Sequence, residues 1–181
     1  MITENDLNVL FTEEQIQQKI KEIAESINDE YGNSAVYVIC VLKGSIMFTV
    51  DLIKHLKMPL RTEFIRLSSY GANYTSSGKV SAVDISLPDL NGQNVLIVED
   101  IIDTGHTAMF LTDFIRHNFK IKSFKFISLL DKRCKRVVDI NPDIYGFTVD
   151  DKFLVGFGLD YDGYYRNLRY IGYIDICGAE I

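Results

Sequence analysis

No apolar run in this sequence approaches the ~18 to 20 residues needed to span a bilayer. Its opening, MITENDLNVL, carries acids and lacks the apolar block of a signal peptide. Both absences make a soluble, cytoplasmic protein without membrane association the default expectation. A basic surplus is missing too: 19 Lys and Arg stand against 25 Asp and Glu, for a net charge of -6 and a pI near 5.0. A general nucleic-acid binder would usually carry the opposite balance, so no nucleic-acid partner is expected. Cysteine is sparse. Cys40, Cys134 and Cys177 lie far apart, their number is odd, and no CxxC occurs. Neither a disulfide framework nor a zinc site is suggested, and reduced thiols are expected. Internal repeats, low-complexity tracts and linkers are also absent, so the 181 residues read as a single domain, 1–181, with a core of ordinary size. With 47% hydrophobic and 24% charged residues, the balance is globular rather than disordered.

What is present alternates between strand and helix patterns. Thr12 and Gln15 fit a capping box, and Ile16, Ile20, Ile23, Ile27 and Tyr31 then form one apolar helix face that Gly32 and Asn33 end. Residues 35–42, AVYVICVL, read as a strand covered on both faces, as in parallel sheets. Ile46, Val50 and Ile53, with Phe48, Leu52 and Leu56 beside them, mark a second helix that stops before Pro59. Residues 60–67 alternate loosely as a strand, and 80–87 could return as its hairpin partner. Between them SSYGANYTSSGK, residues 68–79, has no apolar period; loops of such length inside a compact domain are often functional lids. Asn91-Gly92 is a turn signal, 95–98 a buried strand, and Phe110, Leu111, Phe114 and Ile115 the helix behind it. Further strands are expected over 124–130, 144–149 and 153–159, with a last apolar stretch at YIGYIDI. The alternation predicts an α/β fold with a mostly parallel central sheet flanked by helices.

Residues 95–108, VLIVEDIIDTGHTA, run a buried strand straight into Glu99 and Asp100, with Asp103 close behind. Clustered acids raise one another's pKa unless hydroxyl donors, a metal cation or a chemical task compensates. In open α/β sheets ligands sit outside the carboxyl ends of the strands. Gly105 permits a tight turn, the following helix N-terminus offers unpaired N–H groups, and Thr104 and Thr107 add hydroxyls. One flank therefore suits an anion and the other suits hydroxyls or a metal, a combination matched by a sugar phosphate. Taken alone, Thr-Gly-x-Thr also serves as a helix cap, and an acid pair also occurs as a solvated corner.

VLIVEDIIDTGHTA resembles the phosphoribosyl diphosphate (PRPP) signature of the type I phosphoribosyltransferases, in the form used by the hypoxanthine-guanine members. VLKGS at 41–45 resembles the family's diphosphate loop, and SSYG at 68–71 its flexible catalytic loop. SLLDKR at 128–133 resembles the base-recognition segment, and DKFLVGFGLDYDGYYRNLRYIG at 151–172 the purine-binding hood. The resemblance implies a type I phosphoribosyltransferase fold with a lid hairpin and a small hood at about 151–181, with N-terminal contributions to the hood left open.

It also implies roles. Glu99 and Asp100 would take the ribose hydroxyls, and Asp103 would be the general base that deprotonates the purine. The backbone of Asp103, Thr104, Gly105, His106 and Thr107 would hold the terminal phosphate, with no side-chain role assigned to His106. Lys43 and Gly44 would meet the diphosphate through their main chain, across a Leu42–Lys43 bond that the family can hold cis; Arg166 would contact it as well. Lys132 would donate to the exocyclic oxygen of the base, Phe153 would stack on it, and Leu154 would read its edge through the backbone. Ser69 and Tyr70 would close the lid. Magnesium would be held by Asp160, with Glu99 and Asp100 nearby. His55 and His117 are expected on helices without a catalytic part. The implied reaction is Mg-dependent transfer of phosphoribose from PRPP to hypoxanthine or guanine, in a homodimer or homotetramer. Competing expectations are an RNA-binding regulator on the same fold, a transferase for another base, and a Rossmann-like protein with no such activity.

Overall fold

The computed structural model describes residues 7–68 and 81–174. In chain order the elements are β1 (Asn8–Phe11), α1 (Glu13–Tyr31), β2 (Val36–Leu42), α2 (Ile46–Ile53), β3 (Leu60–Ser68), β4 (Ser81–Asp84), β5 (Asn94–Ile102), α3 (His106–Asn118), β6 (Ser123–Asp131), β7 (Ile144–Thr148), β8 (Phe153–Val155) and β9 (Ile171–Ile174). A six-stranded sheet runs β4-β3-β2-β5-β6-β7, parallel except where β4 folds back on β3. A separate antiparallel sheet runs β1-β9-β8. A mostly parallel α/β sheet flanked by helices, with a small separate antiparallel sheet, is the architecture that the sequence resemblance implies.

The apolar periods decide how these layers pack. Thr12 caps α1 reciprocally with Gln15, and Ile16, Ile20, Ile23 and Ile27 are buried on one face. That face joins Phe48 and Leu52 of α2 against Val36, Val38, Leu96 and Val98 of the sheet. The intervening strand residues Tyr37, Ile39, Val41, Val95 and Ile97 point the other way and pack with Leu111 and Ile115 of α3. Both faces of β2 and β5 are therefore covered, which explains their nearly continuous apolar sequence.

Several expectations shift. The first helix and the strand over 35–42 stand where their patterns put them. The second helix ends at Ile53, and His55 lies in the turn that follows, not on the helix. Its buried residues are Phe48, Thr49 and Leu52, while Ile46, Met47 and Val50 are exposed. The strand expected over 153–159 stops at Val155, because Gly156, Phe157 and Gly158 all take positive φ and turn the chain. β1 has no counterpart in the sequence reading; it is built by pairing Asn8 and Val9 with Tyr173 and Gly172. Residues 69–80, including the expected lid residues Ser69 and Tyr70, lie outside the described residues, as does Cys177. Cys40 and Cys134 are free thiols.

Candidate active site

The site is built at the C-terminal end of β5 and its neighbours. β5 does not end before the acids. Ile101 and Ile102 stay paired with Leu130 and Asp131 of β6, so Glu99 and Asp100 are strand residues. Successive strand side chains point to opposite faces. Glu99 turns toward the α3 side and lines a cavity of ≈ 80 Å³ with Asp103, Thr104, Gly105 and Thr107. Asp100 turns toward the α2 side, where it meets Gly44.

That second meeting is close. A Cβ on Gly44 would stand 1.6 Å from Asp100 Oδ2, and a Cβ on Gly158 would stand 1.9 Å from the Gly44 carbonyl. Only glycine at both positions lets the loop after β2 pass between the acid and the turn after β8. The Leu42–Lys43 peptide that enters this loop is cis. Beyond it, Arg166 Nη1 donates to the Gly158 carbonyl at 2.6 Å and Arg166 Nη2 pairs with Asp160 at 2.5 Å. Gly163 N–H donates to the other Asp160 oxygen at 2.8 Å.

Electrostatics follow from this packing. Burial pushes the Glu99 carboxyl well above the ordinary carboxylate range, and the Asp100 charge adds to the push. Its Oε2 is buried without a hydrogen-bond partner among the described residues. Burial raises Asp100 to about 6, the backbone donors of Ile101 and Asp100 and the Arg166 charge pull it back, and Asp160 pushes it up. Glu99 therefore lacks the donors or cations that would normally hold a carboxylate charge, and those around Asp100 only partly offset its burial.

The loop after β5 forms the other flank. Gly105 caps α3 in the left-handed region at φ 89°. The first bond of α3 closes from Met109 N–H to the Gly105 carbonyl at 2.9 Å, leaving the preceding amides outside the helix's own ladder. Asp103 sits between this loop and Lys132, whose Nζ lies 4.0 Å from Asp103 Oδ2. Lys132 is buried and donates to the Lys152 carbonyl at 2.9 Å. Asp103 Oδ1 is buried and has no partner among the described residues. Phe153 meets Tyr161 edge-on, with ring centroids 5.7 Å apart.

Among the residues singled out from sequence, Glu99, Asp103, Thr104, Gly105 and Thr107 line one cavity, with Lys132 adjoining through Asp103. Asp100, Gly44, Asp160 and Arg166 form a second group on the other face of β5. His106 opens α3, and its N–H reaches Thr104 Oγ1 at 3.5 Å. The sequence reading missed Arg136, which donates to the Asp103 carbonyl at 3.1 Å and pairs with the fully buried Asp131. A carboxylate at the end of an apolar strand signals that a cation must come to it. A larger cavity, ≈ 460 Å³, lies elsewhere, between Val9, Thr12, Glu13 and residues 167–170. It is mostly apolar and far poorer in convergent donors and acids, so the chemistry is assigned to the smaller one.

Comparison with known proteins agrees with this geometry. Residues 8–162 match the phosphoribosyl transferase domain. The chain is 45% identical over 164 residues to the hypoxanthine-guanine phosphoribosyltransferase of Bacillus subtilis, covering 91% of each chain. A crystal structure of a Staphylococcus aureus hypoxanthine phosphoribosyltransferase superposes with a TM-score of 0.89 at 38% identity, covering 94% of this chain and 93% of that one. A Trypanosoma cruzi hypoxanthine phosphoribosyltransferase, solved to study how its C-terminal region affects oligomeric state and activity, superposes with a TM-score of 0.87 at 42% identity, covering 93% and 91%. With the family model spanning most of the chain and relatives this similar, the chain belongs to the phosphoribosyl transferase enzymes, in their hypoxanthine-guanine branch.

Proposed function

We propose that this enzyme transfers the phosphoribosyl group of PRPP to hypoxanthine, and to guanine as a second substrate, giving IMP or GMP and diphosphate. The observation that carries the reading is the Asp103 carboxylate, 4.0 Å from Lys132 Nζ and bordering the same cavity as the Thr104–Gly105 loop. It brings an acceptor for a ring proton, a cation for an exocyclic oxygen and an anion seat within one base-plus-sugar span.

In this mechanism the amides and hydroxyls from Asp103 to Thr107, His106 included, hold the terminal phosphate. Glu99 and Asp100 accept hydrogen bonds from the ribose hydroxyls, which add donors to two carboxyls whose burial is not fully compensated. The purine enters under Phe153, Leu154 reads its edge through the main chain, and Lys132 donates to its oxo group. Adenine would present an amino donor to that lysine and leave it poorly paired. The main chain of Lys43 and Gly44 and the Arg166 guanidinium face the departing diphosphate, stabilising charge where it develops. Asp103 takes the proton from the imidazole ring of the base as the new bond forms. Closure of a lid carrying Ser69 and Tyr70 would exclude water.

Magnesium fits the donors. Among the described residues no cluster of three or more His, Cys, Asp or Glu forms a protein-only metal cage. Asp160 and Asp100 instead offer hard carboxylate oxygens beside a diphosphate site, while Glu99, expected with them, stands on the other face of β5. That is the ligand set magnesium takes when it keeps waters and substrate phosphates. It would be held by Asp160 and Asp100 and would supply positive charge to the diphosphate.

We place the enzyme in the cytoplasm as one domain with a hood formed by 151–181 and β1. The free thiols Cys40 and Cys134 support a reducing setting. A homodimer or homotetramer is supported by the apolar stripe of Ile46, Met47 and Val50 on α2 and by Phe64, all more than a third exposed. Phe64 pairs with Cys40 and shares its α2-facing side of the sheet. One assay tests the activity: purified protein with magnesium, PRPP and hypoxanthine, guanine, xanthine or adenine separately. Nucleotide should form with hypoxanthine and guanine and not with adenine. No product with any oxopurine would refute the reading.

A further inference from the structure

Three consecutive carbonyls at the end of β5 are tied from one side by a single segment. The Ile102 carbonyl accepts from Arg136 Nη2 at 3.4 Å, alongside Lys132 N–H at 2.9 Å. The Asp103 carbonyl accepts from Arg136 Nε at 3.1 Å. The Thr104 carbonyl accepts from Val137 N–H at 2.9 Å and Val138 N–H at 3.4 Å.

Arg136 is itself held on several sides. Its guanidinium donates to the Ile140 carbonyl and pairs with Asp131, whose side chain is fully buried at the end of β6 opposite Ile102. Its side chain is only 12% exposed, so this is not a surface pair. The same strap lies under the loop: a Cβ on Gly105 would come within 2.8 Å of Arg136 Cδ and of Ile140 Cγ2.

A peptide unit is planar and trans, so fixing a carbonyl fixes the next residue's N–H in the opposite direction. Tying the Ile102, Asp103 and Thr104 carbonyls behind the loop therefore turns the N–H groups of Asp103, Thr104 and Gly105 away from the strap. The cavity of ≈ 80 Å³ lined by these residues lies there. We propose that Arg136, anchored by Asp131, is a positioning residue that aims the phosphate-binding amides by sequestering the loop carbonyls. This rests on the phosphoribosyl-transfer reading for the identity of the anion, and it adds a role for a residue that touches neither base nor sugar phosphate.

The rival explanation is that Arg136 only neutralises buried Asp131. The two separate on ligand chemistry. In full-length Arg136→Met, calorimetry should show inosine 5′-monophosphate binding about tenfold or more weaker than in the parent, because oriented bonds to an anion are lost. Inosine, which has no phosphate, should change less than about twofold by the same argument. In turnover the KM for PRPP should rise well beyond that for the purine. Arg136→Lys, which keeps the charge beside Asp131 but loses the fork, should show the same selective loss to a smaller degree, and it carries the test if Arg136→Met does not fold. Equal loss for nucleotide and nucleoside, or unchanged nucleotide binding with only a lower Tm, would overturn the proposal. A parent protein that binds the nucleotide but makes none would sink the proposed activity and leave the strap standing. A parent that binds the nucleotide no better than inosine would overturn both.

Discussion

Replacing Asp100 with asparagine should make the fold more stable while weakening the site. The carboxyl lies against the Gly44 backbone, and burial raises it from 3.8 to about 6. At about 1.4 kcal/mol per pKa decade, that displacement sets an upper bound of about 3 kcal/mol against the charged form near neutral pH. Asp100 is partly open to the cleft, so the expected gain from removing the charge is nearer about 2 kcal/mol. Asparagine keeps an oxygen in place to accept from the Ile101 N–H, which now donates at 3.0 Å. Removing the charge also lifts one of the pressures on Glu99.

The sign has a pH signature. The native carboxyl binds a proton more readily than the unfolded one between 3.8 and about 6, so wild-type stability falls as pH rises through that window. Asp100→Asn does not feel this loss. Urea unfolding at about pH 8 should show the full advantage of the variant, and at about pH 5 roughly half of it. PRPP affinity should fall in the same protein. An advantage that is absent at the higher pH, or that grows as the pH is lowered, would refute the electrostatic reasoning.

Other perturbations act on single parts of the mechanism. Asp103→Asn should leave PRPP binding near the parent's and lower kcat by about 100- to 10,000-fold, the range of general-base help; unchanged turnover in steady-state assays would remove Asp103 from that role. Gly44→Ala forces a Cβ to 1.6 Å from Asp100 Oδ2. It should abolish activity and lower Tm, and an active, equally stable variant would contradict the packing. Lys132→Ala should raise the KM for hypoxanthine by about tenfold or more, the usual scale for a lost charged hydrogen bond, and narrow the gap to adenine; an unchanged ratio of kcat/KM would exclude Lys132 from base choice.

The parts legible in sequence were those that local pattern dictates. The T-x-x-Q box and the isoleucine spacing of α1 specify a capped, one-sided helix, and Thr12, Gln15 and the buried isoleucines realise it. The unbroken apolar run of β2 announces a strand covered on both faces. β1 was not legible, since NVLF is short, half-exposed and a strand only through pairing with residues 171–173. The acids looked like a loop beyond a strand because their polarity breaks the apolar run; β6 keeps pairing through Asp131 and holds them in the sheet. α2 is apolar nearly all round, so its sequence could not say that Phe48 and Leu52 go inward while Ile46 and Val50 stay out. Arg136 left no motif because most of its partners are backbone carbonyls, and carbonyls have no sequence signature.

The two flanks of the site obey one electrostatic rule. An anion seat works only if negative oxygens are kept out of it, and a loop of peptide units carries as many carbonyls as amides. Here the loop's carbonyls are turned to the back and occupied by Arg136, Val137 and Val138. What remains unoccupied lies in front: Glu99 Oε2 and Asp103 Oδ1 are two of the four buried side-chain oxygens without a partner among the described residues. An unpaired buried acceptor costs free energy that the apolar layers on both sides of the sheet must offset. A ligand that brings hydroxyls to Glu99, a ring N–H to Asp103 and a phosphate to the amides relieves all of these at once. A bare phosphate satisfies only the amides and leaves both acids unpaired and repelled. Selectivity for a phosphorylated sugar joined to, or accepting, a protonated base therefore follows from which groups the fold has already satisfied and which it has left open.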